Sequence, residues 1–433
     1  MNRKFGNAIV SGLALVFAIC IVASANAAIT YVGTCTGALI HYPTIQQGVN
    51  ASAAGGTVKV CPGTYPEQVE IKKNLVLEGF TVGTSNQVVV AAPGGGVVAN
   101  TSSLATGNPI AAQIYVHDAA NVNITDVVVD GSGNGIGNNC GGPNLIGIYY
   151  QDASGLVNQA VARNQTASPA NGCQWGLGIF VQSGVSLVTH NAGTSTVTVE
   201  NCSMHDFMKN GITGNEVGTA LTVSSNEIRG QGSTTGAGEN GIQLGYGATG
   251  KVTGNTVIDE IWAPDTSSDP GDAAAGILVF DVAGSTVSSN HVGGTQFGIA
   301  VVGDGGSPAD NATISSNVLD GTLIFDGIDV CGSSGGTISS NTITGSTQSG
   351  IHLDGTCAPV ASGGTTVSSN TINEACAGIL NGTAGNTLSP ASTFFNTVNT
   401  TLVGDVCPAA PNSDIARLAG SSQDTVRPHP ARP

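Results

Sequence analysis

Charge is scarce in this sequence. Only 9% of its 433 residues are Asp, Glu, Lys or Arg, and just 12 of these are basic. A chain so poor in Glu, Lys and Arg does not build long solvated helices or coiled coils. One with 40% hydrophobic residues is not a charged disordered segment. A formal net charge of −16 without a basic patch excludes a nucleic-acid binder. Aromatic residues are equally sparse, at 4%. There is no CxxC, so the zinc and redox motifs built on that spacing are absent, and there is no P-loop, GxGxxG, HExxH or GxSxG. Beyond residue 27 no apolar run is long enough to span a bilayer. What is plentiful is Gly, 63 residues, together with Ser, Thr, Asn and Val, the composition of a large acidic β protein with many turns.

Residues 1–27 read as an export signal: Arg3 and Lys4, an apolar run from Ala8 to Ala23, then Ala25-Asn26-Ala27 as a small-x-small cleavage site. Its removal leaves a net charge of −18 and a secreted or periplasmic protein. Oxidising conditions there favour disulfides. We expect Cys35–Cys61, Cys140–Cys173, Cys331–Cys357 and Cys376–Cys407, leaving Cys202 as a buried thiol.

Self-similarity organises the rest. Apolar-Ser-Ser-Asn recurs with its Asn at 226, 290, 317, 341 and 370, and Val252-Thr253-Gly254-Asn255 is a looser copy. Each Asn is followed two residues later by an apolar residue, such as Ile228 or Ile372. A second marker, Gly-Ile, occurs nine times between Gly147 and Gly378. Both markers repeat every ~29 residues, a period at which solenoids are expected. The units hold short alternating strands separated by turn residues, with no helical stripe, which excludes leucine-rich, TPR and ankyrin repeats. The unit also lacks the Trp-Asp pair and recurrent tight hairpin of a propeller blade. The fold class is therefore all-β, a single-stranded right-handed parallel β-helix over residues 28–407. In such a stack the repeated Asn should take a left-handed turn conformation and bond coil to coil in an amide ladder.

A β-helix must cover its open ends. Pro43 to Val49, with Ile45 and Val49 four apart, reads as a short capping helix. Phe394, Phe395 and Val398 are the candidate plug at the other end, and residues 408–433, rich in Pro, Ala and Ser, read as a disordered tail.

The stretch from Tyr42 to Gly79, YPTIQQGVNASAAGGTVKVCPGTYPEQVEIKKNLVLEG, resembles the opening of right-handed β-helix proteins of the pectin-lyase-like superfamily, pectin methylesterases among them. The SSN-x-I and Gly-Ile units are similar to the parallel β-helix repeats of that superfamily. The resemblance covers most of residues 40–400. It implies the fold but is weak for activity, since one fold hosts many chemistries. Gln151-Asp152 is a fragment of the esterase pattern, but the required Arg-x-Trp is missing, as are the Asp-Asp and Gly-His-Gly of polygalacturonases. No cluster matches the Arg base and Asp-bound calcium of pectate lyases.

Basic residues narrow the partner further. Between Lys251 and Arg417 there is no Lys or Arg, so that half cannot grip an anionic sugar directly. Arg163, Lys209, Arg229 and Lys251 read as solvated surface charges. In Gly-Ile-x the Ile should point inward and the next residue outward. The outward series runs Tyr149, Phe180, Thr213, Gln243, Leu278, Ala300, Asp329, His352, Leu380. Asp329 and His352 fall in successive coils, with Asp326 and Asp354 nearby, so Asp326, Asp329, His352 and Asp354 form the candidate catalytic or metal-binding group. Tyr149, Trp175, Phe180 and Trp262 are candidate sugar-stacking residues. Asp265, Asp269 and Asp272, in the longest turn insertion, are the candidate calcium ligands. The reading that follows is an exported, monomeric β-helix without a transmembrane segment that binds polysaccharide. A polysaccharide-active hydrolase, lyase or epimerase is the first alternative, and a structural spacer the second. The enzyme reading requires a deep groove with at least two convergent carboxylates, the binding reading a shallow aromatic stripe and no such pair, and the spacer reading flat, small-polar surfaces throughout.

Overall fold

A computed structural model describes residues 28–80, 87–137, 142–166, 173–184, 192–234, 236–262, 272–303, 310–321, 325–356, 363–405, 407 and 427–428. The chain winds as a right-handed parallel β-helix. Each coil gives one short strand to each of three long sheets, of 14, 12 and 13 strands, and neighbours within a sheet come from successive coils. Every pairing along the three stacks is parallel; the antiparallel exception is Thr101–Ser102 against Pro109–His117.

The short helix Ile45–Ala51 covers the first coil, burying Ile45, Gly48 and Val49. Thr44 caps it by accepting a hydrogen bond from the Gln47 amide. The Glu67 carboxylate accepts two more, from Ile45 N at 2.7 Å and Gln46 N at 2.9 Å, and so binds the helix to the next coil. At the far end Phe394 packs on the core as expected, but Phe395 (53%) and Val398 (62%) are exposed and plug nothing. Arg427–Pro428 pairs with Asp272–Ala273, so this part of the expected disordered tail is a short strand; the rest of 408–433 lies outside the described residues.

The Gly-Ile marker has two halves with separate causes. The Ile residues lie in register from Ile114 through Ile148, Ile212 and Ile299 to Ile379 and form one fully buried column of the core. Each such burial contributes roughly 1.5–3 kcal/mol. The Gly keeps the coils close. A Cβ on Gly147, Gly211 or Gly298 would fall 2.6, 2.7 or 2.5 Å from the glycine carbonyl oxygen of the next coil. Any side chain there would hold the coils apart.

The Asn ladder is present. Nδ2 of Asn226, Asn255, Asn290, Asn317 and Asn341 each donates to Oδ1 of the next Asn at 2.9–3.0 Å. Each of these backbone amides donates to the same oxygen. Each Nδ2 also donates to a carbonyl one coil back, for instance Asn290 to Val252 O at 3.0 Å. Cys202 stands at the head of the ladder, its amide donating to Asn226 Oδ1 at 2.9 Å, and Ser392 Oγ closes the other end on Asn370 N. One expectation needs correcting: the left-handed residue is not the Asn but the one before it. Ser225, Ser289, Ser316, Ser340 and Ser369 have φ of 56–60°, and in the looser copy Gly254 has 66°. This frees the Asn side chain to point inward along the stack.

Cys35–Cys61 and Cys376–Cys407 are disulfide-bonded, and Cys202 is a free buried thiol, all as expected. Cys173 and Cys331 are also disulfide-bonded, while Cys140 and Cys357 lie outside the described residues. Two substitutions test the ladder in opposite directions. Asn290→Ala leaves the Asn255 amide without its acceptor and should cost roughly 2–4 kcal/mol in chemical denaturation. Ser289→Gly relieves a left-handed non-glycine residue and should add about 0.5 kcal/mol.

Candidate functional site

The third sheet carries the outward series. Its register joins Tyr115, Tyr149, Phe180, Thr213, Gln243, Leu278, Ala300, Asp329, His352 and Leu380 in one unbroken column, so the residue-by-residue alignment inferred from Gly-Ile-x holds. Its exposure does not. Strands of the first sheet alternate between buried and partly exposed positions, whereas those at 177–182, 210–215, 275–280 and 297–302 are buried at every position. The outer face of this sheet bears a second apolar layer, Tyr149 and Phe180 in one cluster and Leu278, Phe280, Phe297 and Ala300 in another.

The candidate sugar-stacking residues are therefore interior. Tyr149 stacks on Phe180 with centroids 5.0 Å apart, and its hydroxyl donates to Gln182 Oε1 at 2.6 Å. Trp175 packs with Cys173, Met208 and Ala237, and buried Trp262 donates Nε1–H to Gly236 O at 3.2 Å. No exposed platform is made by these four. Asp265 and Asp269 lie outside the described residues, and Asp272 is described only as a strand residue paired with Arg427.

The predicted carboxylate–histidine group is brought together. Cα register pairs Asp329 with His352 and Cys331 with Asp354 in adjacent coils. His352 Nδ1 stands 3.4 Å from Asp326 Oδ2 and 3.5 Å from Asp329 Oδ1. Asp326, Asp329, His352 and Asp354 are all buried. A fifth member was not foreseen: Asp405, whose Oδ1 is 3.4 Å from His352 Nε2 and whose side chain, 21% exposed, is the one that reaches solvent. Ser349 fixes Asp326 by donating from N at 2.9 Å and Oγ at 2.5 Å, Thr356 donates twice to Asp354 at 2.7 Å, and Gly355 N donates to Asp405 at 2.7 Å. Burial lowers the His352 pKa, but the surrounding Asp326, Asp405 and Asp329 carboxylates outweigh it and push the ring up to about 11.

A second charged group was misread. Lys209, expected on the surface, is fully buried and donates to Gly238 O. Glu239 and Glu260 are buried beside it where the second sheet turns into the third. Their oxygens converge on Gly230, where a Cβ would lie 2.7 Å from Glu239 Oε2 and 2.6 Å from Glu260 Oε2. Desolvation pushes both carboxyls well above the ordinary glutamate range; repulsion from Glu239 adds to it for Glu260, while Lys209 opposes it for Glu239. Of the other three bases, Arg163 Nε pairs with Asp130 at 2.8 Å, Arg229 pairs with Asp259 at 3.0 Å, and Lys251 is exposed. Also unforeseen is His117, which bridges Glu70 at 2.9 Å and Asp118 at 2.8 Å at the start of the outer column.

A family model described as the right-handed β-helix region matches residues 233–394. The fold is a right-handed parallel β-helix. Solved structures agree along most of the chain. A GH136 lacto-N-biosidase from Eubacterium ramulus superposes with a TM-score of 0.56 at 11% identity, over 87% of this chain and 68% of that one. The surface adhesin PfbA of Streptococcus pneumoniae gives 0.51 at 14%, over 83% and 88%. The catalytic domain of a GH87 α-1,3-glucanase in complex with nigerose gives 0.51 at 12%, over 86% and 68%. Identities this low speak for the fold. No curated protein matches the sequence. No helix among the described residues is long and apolar enough to cross a membrane.

The glutamate pair makes a signed prediction. A carboxyl whose folded pKa is raised contributes stability below the ordinary glutamate value and loses it as pH rises toward the folded one. Glu260→Gln keeps an N–H donor toward Glu239 but cannot ionise. It should melt with the parent at pH 4 and above it at pH 8; a lower melting temperature at pH 8 would contradict the upward shift of the buried carboxyls.

Proposed function

We propose that the protein is an exported enzyme acting on a neutral polysaccharide, with its reacting centre at Asp326, Asp329, His352, Asp354 and Asp405. One observation carries this reading: carboxylates from three coils converge on one imidazole on the outer face of the third sheet, Asp405 reaching back from two coils beyond His352. Convergent carboxylates can pass a proton to a leaving sugar oxygen and stabilise the positive charge that develops at the sugar carbon. Burial sharpens both effects, because a charge acts more strongly where water is excluded. Asp405, on the solvent side, marks where a sugar would enter.

The neutral substrate follows from charge. The cluster lies within the stretch from 252 to 416 that has no Lys or Arg, so a uronate polymer would meet carboxylates with no basic side chain to offset them. The lacto-N-biosidase and the α-1,3-glucanase are carbohydrate-named members of the same fold, which is in keeping with a glycan substrate. The non-catalytic binding reading asked for an exposed aromatic stripe, and Tyr149, Trp175, Phe180 and Trp262 are buried instead. Export accords with the disulfides Cys35–Cys61 and Cys376–Cys407.

Reducing-sugar release from a panel of neutral glycans and uronates tests the proposal. The parent should release sugar from a neutral glycan and spare the uronates, and Asp329→Asn and Asp405→Asn should each lower kcat by about 10²-fold or more. Variants as active as the parent, or a preference for uronates, would overturn it.

A further inference from the structure

The contacts around His352 are not those of an ordinary ion-pair network. Charge-assisted N–H···O bonds run about 2.7–2.9 Å. Here the three nitrogen-to-carboxylate separations are 3.4, 3.5 and 3.4 Å. Nε2 makes no hydrogen bond, although the side chain is only 5% exposed. A buried imidazole nitrogen without a hydrogen bond, facing two carboxylates, is aimed at something else.

The spacing indicates what that is. The separation between the proposed ligand atoms His352 Nε2 and Asp405 Oδ1 is 3.4 Å, and ligand atoms about 2.0–2.2 Å from a shared tetrahedral ion lie roughly 3.3–3.5 Å from one another. His352, Asp354 and Asp405 each offer one ligand atom, and these lie within 4.8 Å of one another. On the other side of the ring Nδ1 faces Asp326 Oδ2, which Ser349 holds in place. That is the carboxylate–histidine support found behind metal-ligating imidazoles, where the outer carboxylate orients the ring and strengthens its donor nitrogen. Asp329, also against Nδ1, adds negative charge from the same side.

Charge points the same way. The cluster buries Asp326, Asp329 and Asp354 and half-buries Asp405, in a part of the chain without Lys or Arg. Burying so many carboxylates around one imidazole is costly unless a cation joins them.

We infer that His352 Nε2, Asp354 and Asp405 hold a divalent transition-metal ion of the zinc class, with Asp326 supporting the imidazole from behind. The nitrogen ligand sets the class, because calcium and magnesium favour all-oxygen sites. The partial exposure of Asp405 leaves a position at which a further ligand can approach, as in catalytic rather than structural sites. This site differs from the calcium loop expected at Asp265, Asp269 and Asp272. It rests on the proposed function only for its location, since metal binding does not require that a glycan be cleaved.

The test uses the full mature chain, freed of metal with chelator and then loaded separately with zinc, manganese or calcium chloride. Metal retained after gel filtration is measured by mass spectrometry, and stability by thermal melting. About one zinc per chain should be retained and the melting temperature should rise. Asp405→Asn and Asp354→Asn should each weaken zinc binding by at least ~10-fold. Asp405→Asn alters a partly exposed position and should stay folded; cobalt loading gives a second readout, since the parent should show the visible bands of a low-coordinate nitrogen–oxygen site and this variant should lose them. No retained zinc, zinc unaffected by both variants, or equal retention of calcium would each overturn the inference. Glycan cleavage by a chain that retains no zinc would sink the metal site and leave the proposed function standing; one zinc per chain without cleavage of any glycan would do the reverse.

Discussion

Everything in this molecule depends on one coil lying in register on the one before it. Two devices enforce that register from opposite sides of the coil. At the turn between the first and second sheets, buried Asn side chains bond along the stack and tie each coil to both neighbours. At the entry to the third sheet, a glycine column lets backbone meet backbone with no Cβ between. The ladder draws the coils together, and the glycines remove what would keep them apart. Since strand side chains alternate with a period of two, a slip of one residue would turn the Ile column outward and disperse the Asp329–His352 pair.

The architecture was legible in the sequence because the same physics repeats every ~29 residues. Asn290 and Asn317 advertise the ladder, and the alignment of Asp329 with His352 follows from counting past Gly327-Ile328 and Gly350-Ile351. What lay outside the repeats was not legible. Asp405 belongs to no repeated string, and it joins the cluster because the last coil carries it there, two residues before the Cys407 bonded to Cys376. Burial was also misjudged. An outward residue is exposed only if nothing covers that face, and the covering of the third sheet is a tertiary fact that alternation cannot express. Tyr149, Phe180 and Trp175 changed from expected sugar platform to apolar layer for that reason. Lys209 was likewise read as a solvent residue because buried charge has no local signature, being stable only through partners distant in sequence.

The same low charge that first marked the composition gives the buried acids their character. A surface dense in Lys and Arg would have supplied a counter-ion to each carboxylate. Here Glu239 and Glu260 are buried together beside one lysine, and the aspartates around His352 gather on its imidazole. One group is buried where the second sheet turns into the third, and the other opens to solvent at Asp405. Closed carboxyls store a pH dependence of stability, whereas open ones are available for chemistry.

Amide hydrogen exchange tests the central claim most directly, because it reads the ladder one peptide at a time. If register is held by the buried Asn stack, the backbone amides of Asn255, Asn290, Asn317 and Asn341, each bonded to the side chain of the next coil, should exchange as slowly as those of the core strands. Exchange at the rate of exposed turns, with the neighbouring strands still protected, would mean that the coils are held by strand pairing alone and that the ladder does not set the register.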